Sequence, residues 1–175
     1  MIKDKLEKII RNIPDFPKLG INFKDITPLL LEPEISNDII DSFISKLDPI
    51  EIDGIVGIES RGFLFGFLLA NKMGIPFIPA RKVGKLPGET VSYKYDLEYG
   101  SAELEIHRKD IKKNWKVLIH DDLLATGGTA NATACLIDKL EAKVVGFTFI
   151  VNLSFLNGEK LLLKHSNNLI SLIDY

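Results

Sequence analysis

Apolar positions in the first third of the chain recur mainly at helical spacing. Between Ile2 and Ile10 they form a stripe that predicts an amphipathic helix, and the four-residue spacing from Ile35 to Leu47 predicts a second one. The intervening segment NIPDFPKLG ends the first helix because proline does not fit a helix interior. The following INFKDITPLL mixes apolar and charged residues and is predicted to be a loop.

Short apolar runs then alternate with helical patterns. Strands are predicted for GIVGI, IPFIPA, KVLI and KVVGFTFIVNL, and helices for FLFGFLLANKMG and TANATACLIDKLEA. This alternation predicts an α/β fold with a mostly parallel twisted sheet flanked by helices, and 175 residues fit a single domain, 1–175. Residues 81–106 interrupt the rhythm with a polar, Gly- and Tyr-containing segment, which predicts two strands or a flap over the sheet edge.

Composition narrows the class of protein. The formal net charge of -2 argues against nucleic acid or an anionic membrane as a partner. The longest apolar run, FLFGFLLA, is too short to span a bilayer. A single cysteine, Cys135, permits no internal disulfide, and MIKDKLEKII lacks the apolar core of a signal peptide. A cytoplasmic location is therefore expected.

The stretch VLIHDDLLATGGTA carries the strongest chemical signal. A strand is expected to end at Asp121 and Asp122, and ligands of parallel sheets bind beyond the carboxyl ends of strands. A small-residue loop follows, made of Ala125, Thr126, Gly127, Gly128 and Thr129. Glycines that turn tightly, hydroxyl donors and a helix N-terminus together predict an anion cradle, most naturally for phosphate.

Two carboxylates beside such a cradle would repel a phosphate that they touched directly. They make sense if they bind sugar hydroxyls, or a Mg²⁺ ion shared with a diphosphate, so the stretch predicts a phosphorylated sugar as ligand. The alternative is an ordinary strand–helix turn with capping or solvated aspartates. Neither a GxxxxGK loop nor a GxGxxG fingerprint is present.

The same stretch resembles the phosphoribosyl-diphosphate-binding motif of the type I phosphoribosyltransferases. Further stretches, FPKLGINFKDITPLL, GIESRGFLFG, RKVGKLPGET and YDLEYGSAELEIH, resemble the adenine branch of that family. The resemblance implies transfer of phosphoribosyl from phosphoribosyl diphosphate to adenine, giving AMP and pyrophosphate. It also implies Mg²⁺ held mainly by the substrate diphosphate, a homodimer, a hood at residues 1–35 and a flexible flap.

Roles for several residues follow from this resemblance. Asp121 and Asp122 would hold the ribose hydroxyls, and the loop after them the 5′-phosphate. Glu98 would take the proton that adenine loses, although a lone Glu in an alternating strand is usually surface decoration. Tyr99 beside it would hydrogen-bond a phosphate or close the site.

A second strand–helix turn is formed by Glu59, Ser60 and Arg61, and its backbone amides suit pyrophosphate. The family has a cis peptide at the position of Glu59-Ser60; the alternative is an ordinary helix cap by Ser60. The next strand is followed by three cations, Arg81, Lys82 and Lys85. They suit a diphosphate unless they are only a solvated face. The resemblance gives Arg81 and Lys85 a contact with phosphoribosyl diphosphate, in their own subunit or the partner's.

The adenine pocket is assigned by resemblance to the first loop. Phe23 would stack on the base, the Asn22 backbone would meet the purine edge, and Leu123 would cover the other face; Phe23 could equally belong to the core. Asn22 and Lys24 depart from the family pattern beside this pocket. Transfer to another purine base, or a non-catalytic sensor of phosphoribosyl diphosphate, therefore stay open as alternatives.

Overall fold

The computed structural model describes residues 1–96 and 101–175 as an α/β fold, which confirms the predicted fold class. The helices are α1 (Ile2–Ile9), α2 (Pro33–Leu47), α3 (Gly62–Met73), α4 (Gly128–Lys139) and α5 (Glu159–Leu162), with 3-10 turns at Thr27–Leu31 and Ser154–Leu156. The strands are β1 (Arg11–Ile13), β2 (Phe23–Asp25), β3 (Gly54–Ile58), β4 (Phe77–Lys82), β5 (Thr90–Asp96), β6 (Ser101–His107), β7 (Lys116–Leu124), β8 (Lys143–Asn152) and β9 (Leu169–Asp174). In the described part of the chain, no helix combines the length and apolar character needed to cross a membrane.

The main sheet positions three of the segments that were predicted to carry chemistry. Its strands lie in the order β5-β6-β4-β3-β7-β8-β9, and the run from β4 to β9 is parallel. The carboxyl ends of β3, β4 and β7 therefore meet at one edge of the sheet. Three segments predicted to carry chemistry begin there: residues 59–61, 81–85 and 121–129.

Helices cover both faces of this sheet because successive strand residues point to opposite sides. On β7, Leu118 packs into a core that includes Leu6 and Phe43 from α1 and α2. Its neighbour Ile119 packs into the other core, which includes Leu136 from α4. The central strands are thus buried on both sides, which explains their nearly continuous apolar sequences.

Strand β7 runs through the two aspartates, so the prediction that it ends at them was wrong. Its ladder with β8 continues from Asp121 opposite Phe149 to Leu124 opposite Asn152. The cause is the length of β8, which spans ten residues and offers pairing partners beyond the apolar part of β7. The carboxylates are consequently held by a central strand rather than by a loop.

The predicted loop INFKDITPLL was also wrong in part. Phe23–Asp25 forms β2, which pairs antiparallel with β1, and Thr27–Leu31 forms a 3-10 turn. Asp25 secures the entry to that turn by accepting hydrogen bonds from the backbone amide and the hydroxyl of Thr27. Strands of three residues are too short to show the alternation of apolar and polar residues by which a strand is predicted.

Of the two alternatives for residues 81–106, the described residues confirm two strands, and these strands join the sheet. Strands β5 and β6 form an antiparallel ribbon, and β6 pairs with the end of β4 at Arg81 and Lys82. The chain after Lys143 adds α5 and β9, two elements for which no prediction was made. The division of the chain into hood, body and flap stays a prediction.

Beneath the aspartates lies a fully buried histidine. The Nδ1 atom of His120 is 3.0 Å from the Thr148 hydroxyl oxygen, and its ring packs edge-on against Phe43. Burial lowers the pKa of His120 from its usual 6.5 to about 3. The imidazole is therefore neutral at physiological pH and packs as a core side chain.

This burial should make folding stability depend on pH. Below pH 6.5 the unfolded chain protonates His120 while the folded chain does not, so stability falls as pH decreases towards 3. We expect His120→Val to reduce the slope of the unfolding free energy between pH 6 and 4 by about 1.4 kcal/mol per pH unit. Urea unfolding of the wild type and the variant at several pH values measures this slope. An unchanged slope in the variant would contradict the lowered pKa of His120, and the two slopes should coincide between pH 7 and 8.

Candidate active site

Two adjoining cavities occupy the edge at which the parallel strands end. The first, the acidic cavity, has a volume of about 220 Å³ and is lined by Ile58, Glu59, Ser60, Arg61, Asp121, Asp122 and Thr129. The second, the loop cradle, has a volume of about 80 Å³ and is lined by Asp121, Leu123, Leu124, Ala125, Thr126, Gly127, Gly128, Thr129, Ala130 and Phe149. Asp121 and Thr129 belong to both, so the cavities share a wall.

The neighbouring carboxylates reach one cavity because side-chain alternation breaks near them. His120 and Leu123 both pack on the side of the sheet that α1 and α2 cover. Residues three positions apart in a regular strand would point to opposite sides. One step between them therefore does not alternate, and Asp121 and Asp122 line the same cavity.

The two carboxyl groups differ in their partners. The buried Asp122 accepts a hydrogen bond from Nε of Arg61, whose side chain is 41% exposed. Asp121 accepts the backbone N–H of Asp122 at 2.8 Å. The turn at residues 59–62, the ESRG turn, thus places a cation beside the carboxylate of Asp122. The carboxylate of Asp121 has a backbone donor instead.

Burial and the adjacent Asp122 charge raise the pKa of the Asp121 carboxyl well above its usual value, although Arg61 opposes the shift. Burial would lower the pKa of Arg61, but the carboxylate of Asp122, together with Asp121 and Asp25, outweighs burial and raises that pKa. The repulsion between the two adjacent carboxyl groups is therefore reduced: the guanidinium of Arg61 is paired with Asp122, and the pKa of Asp121 is raised. A bound ligand that brings a cation or hydroxyl donors would lower the pKa of Asp121 again.

The loop cradle forms where β7 passes into α4. Gly127 has a left-handed backbone with φ of 81°, a conformation that glycine adopts without steric cost. Helix α4 begins at Gly128, and the first N–H groups of a helix have no partner within it, so they can face an anion. The hydroxyl of Tyr95 lies 3.3 Å from that of Thr129, which connects β5 to the cradle.

The predicted cations lie at the end of β4. Arg81 is paired with Glu59, with 2.6 Å between Nη2 and Oε1, and the amide of Lys82 donates to the same carboxylate. The hydrogen bond from Arg81 lowers the pKa of Glu59. Lys82 and Lys85 are exposed. The structure therefore joins Glu59 and Arg81 into one unit beside the acidic cavity.

Glu105 is a site residue that sequence reasoning missed. Its side chain is buried on β6, and its Oε1 accepts the backbone amides of Lys85 at 3.0 Å and Leu86 at 2.9 Å. Although burial favours its neutral form, these hydrogen bonds lower its pKa. It fixes the loop that carries the lysines. A charged residue at an inward position of the alternating segment AELEIH was the available signal.

The N-terminal part of the chain supplies one residue near the acidic cavity. The guanidinium of Arg61 lies 5.5 Å from the ring centroid of Phe23, which places Phe23 beside the ESRG turn. Lys24 is directed elsewhere: its Nζ donates to Asn12 at 2.6 Å and lies 3.5 Å from the Tyr175 ring centroid. Asn22 is exposed, and Leu123 lines the loop cradle. Glu98 and Tyr99 lie outside the described residues.

The chain is similar to known proteins of one enzyme family. A model of the phosphoribosyl transferase domain matches residues 30–168. The adenine phosphoribosyltransferase of Thermosipho melanesiensis is 52% identical over 171 residues, which cover 98% of this chain and 97% of the relative. This chain belongs to the adenine phosphoribosyltransferase family.

Solved structures of the family superpose over nearly the whole chain. The enzyme from Thermoanaerobacter pseudethanolicus gives a TM-score of 0.95 at 46% identity and covers all of both chains. The enzyme from Saccharomyces cerevisiae, complexed with an imino-altritol bisphosphate and adenine, gives 0.92 at 39% identity, with 98% of each chain covered. The cis peptide that the family resemblance implied is present at Glu59-Ser60.

Proposed function

We propose that this protein transfers the 5-phosphoribosyl group from phosphoribosyl diphosphate to adenine, giving AMP and pyrophosphate in purine salvage. The observation that carries the proposal is the shared wall of the two cavities, because Asp121 and Thr129 line both. A ligand with a phosphate at one end and hydroxyls at the other fits such a pair of cavities. Family membership supports adenine as the acceptor.

In the proposed reaction, adenine N9 bonds to C1 of ribose while the bond from C1 to the pyrophosphate oxygen breaks. Residues 125–129 hold the 5′-phosphate through backbone amides and the hydroxyls of Thr126 and Thr129. Asp121 and Asp122 bind the ribose hydroxyls, and their negative charge favours the cationic sugar that forms. The proton released from N9 goes to Glu98, by family resemblance, while Tyr99 closes the site.

Pyrophosphate would leave towards the end of β4 and the ESRG turn. Arg81, Lys82 and Lys85 supply positive charge there, and Glu59 and Ser60 line the acidic cavity. Phe23 stacks on adenine, as its place beside Arg61 allows, with the Asn22 backbone at the purine edge. Leu123 stays assigned to the far side of the base. Lys24 acts indirectly because its ammonium group contacts Asn12 and Tyr175.

Magnesium fits this site as an ion carried by the substrate. Among the described residues, no cluster of three or more His, Cys, Asp or Glu side chains could hold a metal. Asp121 offers an oxygen at the shared wall, and Mg²⁺ commonly takes one or two carboxylates together with substrate phosphates. When bound, it would neutralise charge on the diphosphate.

The protein is further proposed to act as a homodimer in the cytoplasm. Helix α3 presents an apolar face, on which Leu64, Phe67 and Leu68 are between 38% and 54% exposed. Phe67 packs edge-on against Phe77, which extends the face onto β4. Exposed apolar patches of this kind mark interaction sites. A cytoplasmic location is supported by a highly charged substrate that does not cross membranes unaided.

The proposed reaction is tested by measuring AMP formation from phosphoribosyl diphosphate and adenine, with guanine and hypoxanthine as competing bases. We expect AMP as the dominant product and strict dependence on Mg²⁺. Preferential formation of GMP or IMP would assign the enzyme to another base. No consumption of any base after long incubation would instead favour a sensor.

Replacing one carboxylate tests its role in the reaction. We expect Asp122→Asn to lower kcat about a hundredfold because the cationic sugar loses a stabilising charge. The melting temperature should change by only a few degrees, since Asn has nearly the same shape and Arg61 is partly exposed to water. Asp41→Asn is the matched control: its side chain is 65% exposed on α2. Undiminished turnover of Asp122→Asn would remove this residue from the mechanism.

The α3 face is tested by light scattering on the intact protein. We expect the wild type to have twice the chain mass of 19.6 kDa, and Phe67→Lys to shift it towards the monomer because a buried charge opposes association. Lys72→Glu, at the exposed end of the same helix, should leave the mass unchanged. A monomeric wild type, or a Phe67→Lys dimer of unchanged affinity, would contradict the proposal.

A further inference from the structure

Two glycines that lie 31 positions apart bring their backbones into contact behind the loop cradle. A Cβ atom built on Gly127 would lie 2.6 Å from the carbonyl oxygen of Gly158. A Cβ atom on Gly158 would lie 2.9 Å from the amide nitrogen of Gly127, 3.0 Å from the carbonyl carbon of Thr126, and closer still to the oxygen of Ala125. Neither position therefore accommodates a side chain unless a backbone moves.

Gly158 has no conformational need to be glycine. Its backbone is helical, with φ of -60° and ψ of -27°, a region in which alanine is more stable. The residue is buried, and the position that a Cβ atom would take faces residues 125–127. The close approach to residues 125–127 alone explains the residue type, whereas Gly127 also needs its left-handed backbone.

The segment that contains Gly158 is anchored to the rest of the protein at its other end. Leu162 is fully buried in the core on the α4 side of the sheet. His165 lies 3.0 Å from the Asn131 side-chain oxygen through Nε2, and 3.5 Å from Asp138 through Nδ1. The backbone N–H of Asn131 in turn donates a hydrogen bond to the carbonyl oxygen of Gly127 at 2.9 Å. Residues 157–165 thus contact both the cradle and the helix that follows it.

We propose that Gly158, Leu162 and His165 form a brace that positions the loop cradle for the 5′-phosphate, with Gly158 as the main positioning residue. The inference rests on the proposed function, because the phosphate is assigned to the cradle there. The brace contacts the loop from behind and touches no reacting atom. It holds the loop at one distance from β7, so that the amides of residues 127–129 stay aimed at a single point.

Gly158→Ala tests the brace in the intact protein. The added methyl group must push residues 125–127 out of place, and a displacement of about 1 Å can cost on the order of a hundredfold in a positioned site. We expect the KM for phosphoribosyl diphosphate to rise at least about tenfold. The KM for adenine and kcat should each change less than about twofold, because phosphate binding is shared by ground and transition states.

Lys160→Ala is the control, since this exposed residue lies on the same short helix without facing the cradle. Its kinetic constants should match the wild type. His165→Phe keeps a ring but removes the polar contacts with Asn131 and Asp138. It should raise the KM for phosphoribosyl diphosphate in the same direction by a smaller factor, and it tests the brace even if Gly158→Ala folds poorly.

Hydrogen exchange separates failure of the brace from failure of the proposed function. Amides of residues 125–130 should exchange faster in Gly158→Ala than in the wild type, and inorganic phosphate should protect them less. Wild-type exchange and an unchanged KM in that variant would overturn the brace, while AMP formation by the wild type would still uphold the function. If the wild type forms no AMP, the proposed function is wrong. The brace is then tested by the hydrogen exchange of residues 125–130 and by their protection by inorganic phosphate.

Discussion

The arrangement of the site depends on how two adjacent carboxyl groups are held at the end of the central strand. Asp122 is buried and bonded to Arg61, and Asp121 is shifted towards its neutral form. Without the guanidinium, the buried carboxylate of Asp122 would have no cationic partner beside a second carboxyl group, which would destabilise the edge of the sheet. The ESRG turn must therefore lie against β7, and this requirement fixes the spacing of the acidic cavity.

The sequence was sufficient for the parallel sheet because burial on both faces leaves a strong pattern. GIVGI at residues 54–58 and the apolar part of β7 have few polar residues, and Gly74 marks the end of α3 in a left-handed conformation. The loop at residues 125–129 was predicted to bind phosphate for a related reason, because small residues and hydroxyl groups suit a turn whose amides face a ligand, and this role stays a prediction. The features that could be predicted are therefore those that depend on residues close together in the sequence.

Features that arise from distant contacts could not be predicted in this way. The hydrogen bond from the Lys85 amide to the Glu105 carboxylate and the contact of Gly158 with Gly127 join segments that are 20 and 31 positions apart in the chain. Their residues look ordinary in isolation: a buried Glu reads as surface, and a helical Gly reads as a turn. The direction of Lys24, towards Tyr175, likewise depends on where β9 ends.

The ion pair between Glu59 and Arg81 has a consequence for ligand affinity. Because Arg81 already has an anionic partner, a diphosphate reaching it must displace a carboxylate rather than meet a vacant cation. Under the proposed function, the net gain in binding free energy would be the difference between two charged contacts, so pyrophosphate would bind less tightly than it would to an unpaired arginine. Such moderate affinity would favour a transferase, because a leaving group that is bound too tightly would slow the next turnover.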